Sequence, residues 1–335
     1  MQFAPISTGQ AFRLRALLVV IRMRAFWLLF LVSLALPVCA ATNLMPGFLP
    51  GQRVLLDAHN CYPYEGQWTN RLERALATGT PLGIEVDLIW HPLPTSGSPR
   101  IVVRHGGQAR GNEPTLEAYF FERVRPIIET ALASTNRSQW PLITLNVNDL
   151  RASDPEFFTA LWKLTGTYEQ WLCTAPKAST LGPPTPLELK PILVLTSDGA
   201  LQRRIFYDEV PVGGRLRMFA AGKPERDADN FCRWLNYDWK AVEPEGQPRA
   251  GAWTADDTTR LTRIVDNAHQ RGYWVRFYTL NGHGLLEAAV NGWSPGYNFG
   301  SVETAALRWQ AARAAGVDFI AADQYEDCAK ALRGK

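Results

Sequence analysis

Two hydrophobic rhythms alternate along this chain of 335 residues. One is a short apolar run bounded by turn-forming residues, as in Arg53–Ala58, Gly83–Leu88, Arg100–Arg104 and Pro141–Val147. Pro191–Thr196, Arg215–Phe219, Trp274–Leu280 and Phe319–Asp323 repeat it in the second half. Such runs suit strands buried on both faces, as in a parallel sheet. The other rhythm has a period of about 3.6 residues, which predicts helices. Leu72, Ala75 and Leu76 carry it through Trp68–Gly79, where Gly79 supplies the stop. Thr115–Ala133 shows it most fully, with Leu116, Tyr119, Phe120, Val124, Ile127, Ile128 and Ala131 on one face and Pro126 as a kink. Asp154–Leu164, Ala255–Arg271 and Val302–Ala315 are the other helices.

The stretch HPLPTSGSP is too rich in proline and glycine for a helix, so the second crossover reads as helix-free. Ala220–Gly251 reads as irregular, with Lys240–Glu243 as a further short strand. Strands that mostly alternate with helices predict the α/β class. The architecture expected is a single, irregular (β/α)8 TIM-type barrel over residues 50–335, with no repeat or linker marking a second domain.

Composition changes the picture mainly at the N-terminus. Arg13, Arg15, Arg22 and Arg24 precede the uncharged run AFWLLFLVSLALPVCAA, with small residues near Ala40 and Ala41. A basic region, an apolar segment and a small-residue cleavage site predict a signal peptide over residues 1–41. The protein is therefore expected to be secreted or periplasmic. Removing residues 1–40 takes away four arginines and no acidic residue, so the formal charge falls from +3 to −1. No nucleic-acid footprint remains. Cys61, Cys173, Cys232 and Cys328 stay in the mature part; an even count in an exported protein predicts one or two disulfides. The chain is read as a monomer.

The chemistry gathers between Leu55 and Gly107. Three apolar runs there end in groups that ionise or bind metal: His59 with Asn60, Glu85 with Asp87, and His105. Glu85 and Asp87 are two apart, so on a strand both carboxylates point the same way. Like charges so placed repel unless a cation or proton lies between them. Two histidines from neighbouring strand ends would flank the same point, the pattern of a metal-assisted acid–base site.

This ordered set of His59–Asn60, Glu85–x–Asp87 and His105 resembles the phospholipase C-like phosphodiesterase superfamily. Its members include phosphatidylinositol-specific phospholipase C, glycerophosphodiester phosphodiesterase and the spider-venom phospholipase D. The His59–Asn60 pair is most similar to the calcium-dependent phospholipase C version, and WVRFYTLN with AGVDFIAAD resembles the closing strands of the glycerophosphodiesterases. The resemblance implies a phosphoric diester hydrolase acting on a glycerophosphodiester or a phospholipid headgroup, with peripheral membrane contact for a lipid substrate. It implies one divalent cation, Ca²⁺ or Mg²⁺, held through Asn60, Glu85, Asp87 and Asn146, all oxygen donors. His59 and His105 would share the proton work, one taking a proton from the attacking hydroxyl and the other giving one to the leaving alkoxide.

The sequence departs from the family on the fourth predicted strand, where a carboxylate and a lysine are usual. Asn146 and Asn148 stand at those places. Glu243 is a candidate for the absent carboxylate, Lys223 or Arg217 for the absent cation. Asn281 and His283, after the seventh predicted strand, are candidate substrate contacts. A glycosidase barrel is one alternative, since acidic pairs and aromatic mouths also serve sugar cleavage. A non-catalytic barrel that binds lipid or glycan is another.

Overall fold

Each barrel strand is a stretch that the chain can bury on both sides, and eight such stretches close on themselves. The computed structural model describes residues 49–64, 67–92, 97–147 and 153–333. The predicted leader, and Asn148, lie outside them. The barrel strands are β1 (Leu55–Ala58), β2 (Leu82–Glu85), β3 (Ile143–Val147), β4 (Ile192–Thr196), β5 (Phe219–Ala221), β6 (Cys232–Asp238), β7 (Trp274–Tyr278) and β8 (Phe319–Ala322). Each pairs in parallel with the next, and β8 returns to β1 with Leu55 opposite Phe319. The expected barrel is thus present.

The helices that cover it are α1 (Arg71–Ala77), α2 (Glu122–Ala133), α3 (Pro155–Thr167), α4 (Ala200–Arg203), α5 (Ala255–Gln270), α6 (Leu285–Val290), α7 (Val302–Ala314) and α8 (Tyr325–Arg333). Local signals set several of their starts. Asp154 caps α3 by accepting from the Glu156 amide at 2.8 Å, and Pro155 occupies the first turn, where its missing N–H costs nothing. Thr254 and Asp257 form a capping box on α5. The inner faces then bury Leu72 and Ala75, Val124 and Ile128, Phe157 and Leu161, Leu261 and Val265, and Ala305 and Trp309 against the barrel. Each large side chain so buried contributes roughly 1.5–3 kcal/mol.

Three expectations change. Arg100–Val103 is not a barrel strand: it pairs antiparallel with Leu88–His91 in a hairpin outside the barrel. The connection from β2 to β3 therefore does carry a helix, α2, and the helix-free crossover lies between β5 and β6. The sixth barrel strand runs through Cys232–Asp238, inside the stretch read as irregular; Arg215–Leu216 pairs instead with Ala175–Pro176, and Trp239–Ala241 is a single helical turn. Buried Arg233 and Asn230 beside Trp234 interrupt the apolar run that would have marked this strand. The predicted disulfides are also absent: Cys61, Cys173, Cys232 and Cys328 are each buried and unpaired. Cys173 donates its thiol hydrogen to the Lys190 carbonyl. Among the described residues no helix is long and apolar enough to cross a membrane.

Candidate active site at the C-terminal end of the barrel

A parallel barrel collects the loops that follow its strands at one rim, where its strand-end side chains converge. β1 delivers His59 and Asn60, β2 delivers Glu85 and then Asp87, β3 carries Asn146, and Asp323 follows β8 directly. Asn60 has a φ of 50°, in the left-handed region that asparagine tolerates better than most residues.

His59 is buried and held from two sides. Its Nδ1 lies 2.8 Å from Asp323 Oδ1 and 2.9 Å from the Asn60 side-chain nitrogen. One ring nitrogen cannot donate to the first and accept from the second at once, and the carboxylate is the stronger partner. Nδ1–H therefore donates to Asp323, which Asn60 Nδ2 also reaches at 3.4 Å. The opposite ring nitrogen, Nε2, lies 3.6 Å from Glu85 Oε2. Burial alone would lower the His59 pKa, but the Glu85 and Asp323 carboxylates outweigh it and hold the imidazole above its ordinary 6.5. Asp323 is itself over-supplied with donors. Asn281 Nδ2 donates to its Oδ2 at 3.0 Å, His283 Nε2 lies 3.2 Å from the same oxygen, and its backbone amide bonds Asn281 Oδ1 at 2.8 Å. Burial pushes the Asp323 carboxyl up, yet His59, His283 and Arg71 together hold it far below the usual range.

Beneath the histidine lies a charge network that fills the barrel axis. Arg276, from the middle of β7, is fully buried; its Nε lies 2.5 Å from Asp57 Oδ2 and its Nη2 3.1 Å from Glu85 Oε2. Its Nη1 donates to Asn236 Oδ1 at 3.0 Å, and Asn146 Nδ2 reaches Asp57 at 3.4 Å. Gly83 makes room for this arrangement, since a Cβ there would collide with the Asp57 carboxylate. Burial would raise the Glu85 pKa, but Arg276 and His59 bring it below the ordinary value.

His105 closes the other side. It follows the outer hairpin, half-exposed, with Nε2 3.8 Å from Asp87 Oδ2 and its ring nearly parallel to that of Tyr62. Beside His105 opens a cavity of about 590 Å³, whose lining includes Asn60, Tyr64, His105, Trp293, Tyr297 and Asp323; His59 itself is not in the lining and touches it through Asn60 and Asp323.

Asn281 and His283 thus reach the site, through Asp323. The other weak candidates do not. Glu243 receives two bonds from buried Arg308, at 2.7 and 3.0 Å, and one from Trp239 at 2.7 Å, so its charge is committed to packing. Arg217 precedes β5, at the opposite end of the barrel, where it pairs with Glu169 at 2.6 Å and lies over Trp162. Lys223 is exposed after β5. Sequence reasoning missed Asp323, Arg276, Asp57 and Tyr62. Asp57 and Asp323 were legible in principle, being acidic residues inside or directly after apolar strands.

The oxygens expected to hold a divalent cation fall into two sets. Glu85 and Asn146 belong to the arginine network, where Arg276 already offsets their surroundings. Asn60 Oδ1 and Asp87 Oδ2 belong to the mouth, where both meet the Tyr62 hydroxyl, at 2.6 and 2.9 Å. Tyr62 has one proton for two acceptors, and burial beside Asp87 keeps that proton in place by pushing its pKa well up. Among the described residues no group of three or more His, Cys, Asp or Glu side chains is gathered for a metal. Of the expected hard-oxygen donors, Asn60 Oδ1 and Asp87 Oδ2 lie beside the Tyr62 hydroxyl, and Asn146 Oδ1 is buried without a hydrogen-bond partner; Glu85 is engaged by Arg276.

No family model matches the chain, and no curated protein does. Several solved structures show a remote likeness. A glycerophosphoryl diester phosphodiesterase from Parabacteroides distasonis shares 15% identity at a TM-score of 0.41, over 84% of this chain and 87% of that one. The phosphatidylinositol-specific phospholipase C of Listeria monocytogenes shares 11% at 0.49, over 87% and 95%. A glycerophosphodiester phosphodiesterase from Agrobacterium tumefaciens shares 13% at 0.41, over 84% and 99%. These likenesses are too remote to carry an activity across.

Proposed function

We propose that the chain is an exported phosphodiesterase of the phospholipase C-like kind, cleaving a small or lipid phosphodiester by acid–base catalysis between His59 and His105. One observation carries the reading: an imidazole oriented by a buried carboxylate, His59 on Asp323, stands behind a cavity whose lining carries a second imidazole, His105. In its neutral form His59 keeps its proton on Nδ1, bonded to Asp323, and presents the Nε2 lone pair. Nε2 takes the proton of the attacking oxygen as that oxygen bonds to phosphorus. His105 gives its proton to the leaving alkoxide as the old P–O bond breaks, so each imidazole ends in the other's starting state. A divalent cation held through Asn60 and Asp87 would offset charge on the phosphoryl oxygens when bound. Glu85 is paired with Arg276, which weakens the case for a glycosidase carboxylate pair. Export after loss of the leader belongs to the same reading, and N-terminal sequencing of protein recovered outside the cytoplasm tests it.

The decisive experiment measures hydrolysis of bis(p-nitrophenyl) phosphate and glycerophosphocholine in Ca²⁺, in Mg²⁺ and in EDTA. His59→Ala and His105→Ala are each expected to lose about 10²–10⁴-fold in turnover. Variants as active as the parent chain would overturn the assignment, and activity unchanged by EDTA would remove the cation from it.

A further inference from the structure

The segments that wall the candidate site also wall a second cavity. It measures about 280 Å³, and its lining includes Arg104, Arg110, Glu113, Tyr119 and Arg123. The two cavities share no described lining residue, yet neighbours in sequence divide between them. Tyr64 and His105 line the first, Pro63 and Arg104 the second. Three arginines against one glutamate give the described lining of the second a formal charge of +2.

The side chains of that lining are set for an anion. Glu113 accepts from Arg104 Nη1 at 3.0 Å, from the Arg110 amide at 2.8 Å and from the Gly111 amide at 2.9 Å, and so anchors the arginine-bearing loop. Arg104 Nε also donates to the Gly106 carbonyl at 3.0 Å, so this guanidinium spans the turn that carries His105. Arg123 lies over the Tyr119 ring, 4.6 Å from its centroid, and pairs with Glu73. Glu73 is exposed and outside the lining, and a surface pair of that kind is weakly held. Tyr119 gives the sharpest sign. It is 3% exposed, and its hydroxyl finds no hydrogen-bond partner among the described residues. Burial pushes its pKa up, so the hydroxyl keeps its proton and remains a donor. A buried donor left unmet is costly, and native structures seldom leave one without a reason. Guanidinium forks beside a hydroxyl are a donor set for a phosphate-type oxyanion. The volume is close to the roughly 300 Å³ at which small-molecule sites begin.

We propose that this second cavity binds a phosphate dianion through Arg104, Arg110, Arg123 and the Tyr119 hydroxyl. Because Arg104 also holds the Gly106 carbonyl, the bound anion bears on the His105 turn from the side away from the candidate site. The proposal goes beyond the phosphodiesterase reading and stands without it.

The test is isothermal titration calorimetry of the mature chain with inorganic phosphate at low salt, beside His59→Ala. Phosphate is expected to bind both, since His59 takes no part. Arg110→Gln/Arg123→Gln should weaken binding at least about tenfold, and Tyr119→Phe, which keeps the ring and its packing, about threefold to tenfold. Glycerol 3-phosphate titrated in parallel should bind the same site, and the tighter of the two ligands tells whether the phosphate comes free or as a monoester. Added phosphate should also shift the ring-proton resonances of His105 in the parent and not in the double variant. A chain that binds no phosphate would overturn the proposal. So would binding lost in a folded His59→Ala chain, which would move the anion to the candidate active site, or binding undiminished in the double variant or in Tyr119→Phe. A His105 resonance that moves equally in the double variant would overturn the link to its turn.

Discussion

Replacing Asp323 by asparagine tests the proposed base at its root. The substitution keeps the size of the side chain and its bonds to Asn281, while removing the negative charge 2.8 Å from His59 Nδ1. Two carboxylates raise the His59 pKa, Asp323 and Glu85, the latter 3.6 Å from Nε2. At an effective dielectric constant of about 20, unit charges this close interact by several kcal/mol, offset in part by desolvation. Loss of the nearer one should lower the imidazole pKa. The limb of the kcat/KM profile that reports His59 should move to lower pH, with turnover down about 10²–10⁴-fold because the tautomer is no longer fixed. Stability should follow a matching pattern. The raised His59 contributes stability that is full below 6.5 and is lost as pH rises through its folded value. The depressed Asp323 contributes stability that is present above 3.8 and is lost as pH falls. The deficit of the variant should therefore be largest between those two values and shrink toward pH 9, which urea unfolding at pH 5 and pH 9 measures. A His59 titration unmoved in Asp323→Asn, followed by NMR of the ring protons, would refute the account whatever happens to the rate.

Arg276→Met should cost about 3–5 kcal/mol in urea unfolding, since it leaves Asp57 and Glu85 buried without their counter-charge; a loss under 1 kcal/mol, within the usual scatter of surface changes, would show that the network is not electrostatic in origin. Glu243→Gln should cost about 3 kcal/mol through the orphaned Arg308 yet leave kcat unchanged, which separates a packing carboxylate from a catalytic one. A fall in kcat with stability intact would reinstate Glu243 as a site residue.

The parts of this molecule legible in its sequence are those where one residue type has one job. Alternating apolar runs and helical faces gave the barrel, and the strand-end pairs His59–Asn60 and Glu85–Asp87 marked the rim that carries the site. The remainder depended on contacts across the barrel. Arg276 sits 219 residues from Asp57 along the chain, and nothing local distinguishes it from a surface arginine. Strand β6 escaped because the barrel interior accepts Asn236 and β6 itself buries Arg233, so an apolar count undervalues it. The hairpin strand Arg100–Val103 misled in the opposite direction: its apolar run is real and buried, but it packs outside the barrel. Whether a run lies in the barrel or beside it is a question of partner, and a sequence does not state partners.

That hairpin has one more consequence. His59 is fastened to the register of the closed sheet, where a shift of one residue would turn every neighbouring side chain to the wrong face. His105 hangs from Leu88–His91 and Arg100–Val103, which pair with each other and, by one bridge from Val102, with Thr115, but with no barrel strand. That ribbon shares no backbone pairing with a barrel strand, although Leu88, Ile101 and Val103 are buried in the same core. The spacing between the two imidazoles is therefore set by the hairpin and not by the register of the closed sheet, which fixes only the half that orients His59.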